Sequence, residues 1–340
     1  MAAPGVKTLR QVQIGKETTK GTAVAATEQL LAEVELDLSG YELFRNTHPI
    51  VVLAEHAGPT ALLKKDVDAR LTMNGATYQQ LAWLLALAID QPATTGAGPY
   101  THTFDPGLAA LWNPHSATLE ARYDDGADQE DVEVEYFTGR TLRLTGEQNG
   151  ALQAELDGFG RQVTDAAITS IAVPATLTPI TIAQMKYYIN DTWAAADLLA
   201  PVAGIVTPDV MSFSLEIDAG QFPWHGISGN TYFHSAKERQ KNFRLSVRSL
   251  LNPAPASEGT AAERAHAQAQ DLRFVTLGFT GPGNMTLYVA LAGKHEAGDF
   301  LTVGEQDGLD VVEMTIVGHY DPTGAKLVKA VLINDDAAAL

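Results

Sequence analysis

Between Asp131 and Gly160 apolar and polar positions alternate with a period of two. The segment Asp131-Val132-Glu133-Val134-Glu135-Tyr136 leads through Gly139 into Arg140-Thr141-Leu142-Arg143-Leu144-Thr145. A turn at Gly146-Glu147-Gln148-Asn149-Gly150 follows, and Leu152-Gln153-Ala154-Glu155-Leu156-Asp157 returns. Strict alternation around an Asn-Gly turn predicts a β-hairpin with one buried face. Leu142, Leu144, Leu152, Ala154 and Leu156 belong to that face, while Arg143 and Glu155 oppose each other on the other one. A second alternation sets Val312, Met314 and Ile316 against Glu313 and Thr315. It turns at Asp321-Pro322-Thr323-Gly324 and returns through Val328, Ala330 and Leu332. Read as the same closing hairpin, it makes the chain an internal repeat.

The rest of the chain can be paired in the same way. Glu33-Val34-Glu35-Leu36-Asp37-Leu38-Ser39 reads as a strand, with a counterpart in Ser214-Leu215-Glu216-Ile217-Asp218-Ala219-Gly220. Long irregular segments follow both, residues 41–63 and 222–240, before the strands Asp66-Val67-Asp68-Ala69-Arg70-Leu71 and Arg244-Leu245-Ser246-Val247-Arg248. Each half then has a helix. The first is expected over residues 76–89 behind an Asn74 cap, and the second is announced by the capping-box residues Thr260-Ala261-Ala262-Glu263. The fold expected is mainly β: two tandem β-sandwich or barrel domains, each with one flanking α-helix. They span residues 1–165 and 166–340, joined by a linker at about 164–181, where small residues and two prolines cluster. Residues 91–114, holding Pro92, Pro99, Pro106 and Pro114, have no counterpart and are read as an outward insertion.

Structureless loops of this length are uncommon in compact domains unless they make contacts. Phe44, Ile50, Val51, Phe222, Trp224, Tyr232 and Phe233 are apolar for free loops, and are therefore candidates for an interface between copies. Arg244 and Arg248, on one face of their strand, join them as charges that would fix register against an acidic partner surface.

Composition limits the alternatives. The 340 residues are 45% hydrophobic, enough for real cores, and contain no cysteine, which removes disulfide and thiolate chemistry. Met1-Ala2-Ala3-Pro4-Gly5-Val6-Lys7 lacks the apolar stretch of a signal peptide. The longest apolar run, residues 81–89, is far short of the ~20 residues that cross a bilayer, so no membrane insertion is expected. These features suggest a soluble protein of a cytoplasm-like compartment. The formal charge of −18 is spread over both halves, which disfavours gripping a polyanion.

No catalytic constellation emerges, and neither an enzyme nor a cofactor is expected. Gly15-Lys16-Glu17 lacks the remainder of a P-loop, Gly226-Ile227-Ser228-Gly229 is not a nucleophile elbow, and His48, His115 and His319 lack metal-ligand spacing. Asp124, Asp125 and Asp128 are the one calcium candidate, though they do not form an EF-hand loop. Their segment reads instead as a hairpin with an acidic outer face.

Ile14-Gly15-Lys16-Glu17-Thr18-Thr19-Lys20-Gly21-Thr22-Ala23-Val24-Ala25-Ala26-Thr27 resembles the N-terminal signature of the tail tube (major tail) proteins of long-tailed, non-contractile phages. Tyr187-Tyr188-Ile189-Asn190-Asp191-Thr192-Trp193 looks like the opening of a second tube repeat, and the hairpin around Gly139 is similar to the end of the tube fold. The resemblance implies a structural subunit of the virion, assembled in the host cytoplasm. Such domains join edge to edge in rings of six, so a two-domain chain would close as a trimer with pseudo-sixfold symmetry. Stacked rings would form a hollow conduit that DNA passes through without specific binding, with Glu133, Glu135, Glu155 and Glu313 as the candidates to face its channel. The partners implied are further copies of the chain, the tape measure protein, the tail terminator and the distal tail protein. The competing reading is a two-domain β-sandwich that binds carbohydrate or protein, for which Trp112 and Trp224 are the available aromatic platforms.

Overall fold

The computed structural model describes residues 10–45, 60–107, 112–124, 129–197, 210–227, 229–251, 260–296, 302–306 and 308–336. The chain is mainly β, built of antiparallel ladders with few helices. Its first half holds β1 (Gln11–Lys16), β2 (Glu28–Leu30), β3 (Glu33–Asp37), β4 (Glu42–Arg45), β5 (Thr60–Lys64), β6 (Val67–Met73), α1 (Leu81–Ala88), β7 (Ala93–Thr95), β8 (Tyr100–Phe104), β9 (Ala117–Asp124), β10 (Gln129–Glu147), β11 (Gln153–Gly160) and β12 (Val163–Asp165). The second holds β13 (Met185–Asn190), α2 (Trp193–Ala196), β14 (Val210–Asp218), β15 (Gln221–Trp224), β16 (Ser235–Glu238), β17 (Asn242–Leu250), α3 (Thr260–Ala269), β18 (Arg273–Thr280), β19 (Thr286–His295), β20 (Thr302–Gln306), β21 (Leu309–Gly318) and β22 (Val328–Asn334).

Strand β10, 19 residues long, serves two sheets. Its first part pairs with β9 and β12; its second part pairs with β11 on one side and β14 on the other. The change of sheet happens where the register slips between Gly139 and Thr141. A Cβ on Gly139 would lie 2.8 Å from Leu156 Cδ1 and 3.0 Å from the Leu87 carbonyl oxygen, so only glycine lets the bend close against the core. The outer sheet of the first half runs β2-β1-β9-β10-β12. The inner sheet runs β3-β6-β11-β10 and continues without a break into β14-β17-β21-β20 of the second half.

The second half repeats this plan. β13-β18-β19-β22 matches β1-β9-β10-β12, and β19 passes at Gly293 from its own sheet to β21, where Gly293 pairs with Gly318 as Gly139 pairs with Gly158. Strand β20 takes the part of the second segment of β10. The two halves thus share a strand order, but the hairpin that ends the second lies one strand earlier than the alternation suggests. Strand β21 pairs with β20, β17 and β19, while β22 pairs with β19 and β8 and not with β21. Alternation fixes which face of a strand is buried but not its neighbour.

The first helix is also not a flanking one. All eight residues of α1 are buried, because Leu81-Ala82-Trp83-Leu84-Leu85-Ala86-Leu87-Ala88 is apolar all round and fits only inside a core. It starts later than an Asn74 cap implies. Residues 76–80 are held irregular by the inter-half segment, with Tyr78 N–H donating to Thr178 O and Ile180 N–H to Ala76 O. That segment is thus docked along the first half, with Ile180 wholly buried. Residues 91–114 include β7 and β8, which extend the outer sheet of the second half through β22. One apolar cluster, from Val12 to Leu332, runs through both halves.

Candidate assembly interface

The junction between the halves shows how one unit of this fold meets the next. Seven residues of β10, Thr141 to Glu147, pair with β14 from Asp218 back to Ser212. One face of this ladder, with Leu142 and Leu144 against Ile217 and Leu215, is buried. On the exposed face Arg143 donates to Glu155 across β11 (3.1 Å) and to Glu216 across the junction (2.8 Å). The hydrogen bond to Glu216 is the main reason the guanidinium is held still more firmly protonated than usual.

A second contact lies beyond the end of β14. Asp218 accepts from Gly220 N–H and opens an Asx turn into the β15–β16 hairpin, which leans over the first half. Phe233 at its tip is wholly buried between Tyr136 (centroids 5.0 Å apart) and Phe159 (5.3 Å, edge-on). The Arg161 guanidinium covers Tyr136, Tyr232 and Phe233 at 4.8, 5.0 and 5.8 Å and donates to the carbonyls of Gly21 and His234. Lys65 N–H donates to Thr231 O, His225 Nε2 lies 2.8 Å from Asp66, and Trp112 N–H donates to Glu238.

The N-terminal motif supports this clamp. Glu17, buried, accepts from Gly21 N–H (2.7 Å), Ser116 Oγ (2.6 Å) and Tyr136 N–H (2.6 Å), and so holds Tyr136 in its left-handed conformation (φ 54°) at the β10 bulge. Gly21 has φ +77°, and any Cβ there would collide with Arg161. The motif therefore has a mechanical role: Glu17 shapes the bulge, and Gly21 seats the arginine that covers the incoming hairpin.

The candidate residues are distributed unevenly over these features. Phe233 is already covered inside the chain, so it has no surface left to offer a second copy; aromatic stacking on Tyr136 and Phe159 has claimed it. Tyr232 and Phe222 are partly buried with it, whereas Trp224 is exposed. Phe44 is exposed on β4, and Ile50 and Val51 lie outside the described residues. Arg244 and Arg248 sit on the exposed face of the eight-stranded inner sheet, Arg244 beside Glu296 at 2.7 Å. Glu155 and Glu313 share that face. Glu133 and Glu135 lie instead on the outer sheet, where burial first, and neighbouring carboxylates with it, raises the proton affinity of Glu133; burial, with Glu17 nearby, does the same for Glu135. Of the calcium candidates, Asp124 accepts from Gln129, while Asp125 and Asp128 lie outside the described residues. Among the described residues no group of three or more His, Asp or Glu side chains could hold a metal ion. Trp112 is buried under Lys241 and forms no platform. Among the described residues no helix is long and apolar enough to cross a membrane.

Two strands of the inner sheet have one side unused. Among the described residues β3 pairs only with β6, and β20 only with β21. Beside β3 the large apolar side chains Leu31, Leu38, Leu43, Phe44 and Leu63 are all exposed. Leu38 follows Asp37 as Ala219 follows Asp218, and Asp37 accepts from Ser39 N–H in the same Asx turn; Leu38 is 48% exposed, Ala219 0%. The border that the second half buries against the first is thus bare on the first half itself.

Among the described residues, β3 and β20 thus stand as sheet borders at opposite ends of the inner sheet. Residues 8–262 match the phage tail tube protein family, and the chain belongs to it. It is accordingly a structural component of a virion tail, in a family that is not one of enzymes. No curated protein matches the chain.

Proposed function

We propose that the chain is the repeating subunit of a long non-contractile phage tail tube, in which residues 1–165 and 166–340 act as two tube domains. The observation that carries this reading is the β10–β14 ladder: one domain already completes the border of the next inside the chain, and β20 and β3 are left as the matching open ends. Repeating the same junction between copies joins β20 of one to β3 of the next. Three copies close a ring of six domains, and the exposed face of the inner sheet becomes the channel wall. Closure also removes the edges that would otherwise invite disordered aggregation.

The wall then carries Glu155 and Glu313 with Asp68, Asp157 and Glu216, and most of its arginines are paired. Arg70 lies 2.7 Å from Asp157, Arg140 3.0 Å from Asp68, and Arg143 bridges two glutamates. Arginines engaged in this way offer DNA few free cations, so it slides and is not gripped. Stacked rings form the conduit, whose ends meet the terminator and distal tail proteins and whose bore holds the tape measure protein during assembly. The rival reading, a carbohydrate-binding sandwich, has only Trp224 as an exposed tryptophan platform among the described residues.

Electron microscopy of the purified protein at rising concentration tests the proposal. Rings of three subunits with six similar lobes, stacking into tubes of uniform bore, are expected. Monomers at every concentration, or rings with a different subunit count, would overturn it.

A further inference from the structure

We infer that Asn74 is a site of spontaneous self-modification, in which the backbone nitrogen of Gly75 attacks the Asn74 side-chain carbonyl. Ammonia leaves, and water opens the resulting succinimide to aspartate or isoaspartate. The step balances with water alone: one C–N bond forms as another breaks, and the Gly75 N–H proton departs with the carboxamide NH2. Nothing is oxidised or reduced. The inference concerns the single chain and stands apart from the ring reading.

Two Asn-Gly pairs occur in the sequence, Asn74-Gly75 and Asn149-Gly150, and each is followed by an alanine. Glycine favours the attack because no Cβ crowds the approaching nitrogen. The nitrogen must also be released from any hydrogen bond of its own. The structure separates the two pairs on that requirement. Gly150 N–H donates to Glu147 O at 2.9 Å, and the Gly150 carbonyl accepts from Ile182 N–H at 3.0 Å. Asn149 is fixed beside it at φ 65° in the β10–β11 turn. Nucleophile and carboxamide are thus both held. Asn74 instead lies exposed just after β6, and among the described residues Gly75 N–H donates to no group. A Cβ built on Gly75 would meet nothing within 4 Å, so the five-membered ring has room to form.

The position gives the modification a consequence. Asn74 lines a groove with Glu147, Arg248 and Glu313, so the new carboxylate adds to the acid already there. Isoaspartate also inserts one carbon into the main chain, two residues ahead of Ala76. Ala76 N–H donates to Leu152 O, and its carbonyl accepts from Ile180 N–H. The altered backbone therefore feeds directly into the strap that docks the inter-half segment on the first half.

The second Asn-Gly pair is the internal control. The full-length protein is aged in mildly alkaline buffer, with and without urea, and both peptides are followed by mass spectrometry for exchange of NH2 for OH. In the folded protein position 74 is expected to convert about tenfold faster than position 149, whose hydrogen bond must break first. In urea the two rates should converge, because both sites then present the same Asn-Gly-Ala sequence. Equal rates in the folded protein, faster conversion at 149, or a ratio that survives urea would each overturn the inference. Gly75→Ala, which the open space accommodates, is expected to suppress conversion at 74 and leave 149 unchanged. Undiminished conversion at 74 in that variant would count against attack by this nitrogen.

Discussion

The two halves have one topology and two finishes. In the second half the leading border is covered: β14 is paired, Ala219 is buried, and the β15–β16 hairpin is pinned by Phe233. In the first half the same border is bare, with β3 unpaired on one side among the described residues and Leu38, Leu43 and Phe44 in solvent. Their outer sheets differ as well. Strand β19 turns Tyr288, Ala290 and Ala292 toward Trp193 and Phe274, where β10 turns Glu133 and Glu135 outward. The difference teaches that completeness is a property of the junction and not of the domain. Within the chain, β10 of the first half completes the border of the second at β14, and among the described residues no strand does the same for β3.

The sharpest way to break this comparison is to place a charge at its two corresponding points. Ala219→Asp buries a carboxylate in the closed junction and is expected to destabilise the monomer by at least about 4 kcal/mol. Leu38→Asp, at the open border, is expected to leave monomer stability within about 0.5 kcal/mol and to abolish rings. Denaturant melts and size-exclusion chromatography of both variants read the contrast; equal effects on melting would mean that the two borders are covered alike. The hairpins give the next largest effect. Phe233→Ala empties the aromatic recess and should cost about 3–4 kcal/mol of folding stability, while Phe44→Ala should cost the monomer almost nothing.

Charge sharpens the comparison further. The closed junction has Arg143 between Glu155 and Glu216. The open borders have no such base. Between Lys20 and Arg45 the sequence holds Glu28, Glu33, Glu35, Asp37 and Glu42 and no lysine or arginine; between Lys294 and Lys326 it holds Glu296, Asp299, Glu305, Asp307, Asp310, Glu313 and Asp321 and again none. Two acid-only edges repel until salt screens them, since the Debye length falls from about 30 Å at 0.01 M to about 8 Å at physiological ionic strength. The assembly threshold, measured by sedimentation, is therefore expected to fall severalfold over that range. A threshold that rises with salt would show that attraction, not repulsion, governs these edges.

Much of this was legible in the sequence, and the gaps have physical causes. The β10–β11 hairpin is found with its Arg143–Glu155 pair and its buried leucines because two strands and a tight turn are a local problem. The partner of β21 is not local. The signal that would have found it is the Asp-Gly dipeptide at 307–308 in the sequence, a composition that favours two-residue hairpins, passed over for the longer alternation beyond. Phe233 reads as a contact residue and is one, but the contact is within the chain, since loop composition says that a side chain will be covered and not by what. The role of Glu17 is invisible in one dimension: its ligands Ser116 and Tyr136 lie about a hundred residues away.

The smallest effect concerns the outer sheets. On β10, Asp131 and Glu133 are two residues apart and respond to pH in opposite senses. Arg122 grips Asp131 through two hydrogen bonds, 2.7 and 2.8 Å, and lowers its pKa. Its stabilising contribution is present above the unfolded pKa and is lost as pH falls through the folded one. Glu133 is pushed up by burial, then by Glu120 and Glu135, so the native state holds its proton more tightly than the unfolded chain does. That contribution is fully present below the unfolded value of 4.5 and is lost as pH rises through the raised folded value. Glu133→Gln is therefore expected to stabilise the protein at pH 7 by a few tenths of a kcal/mol, the side chain being partly solvated, and to change nothing near pH 3.5. Asp131→Asn should destabilise at pH 7 by about 1 kcal/mol and lose its effect in acid. Urea melts at the two pH values decide it: a Glu133→Gln protein less stable than wild type at pH 7 would mean that the carboxylate is welcome there, and that the outer sheet of the first half is as finished as that of the second.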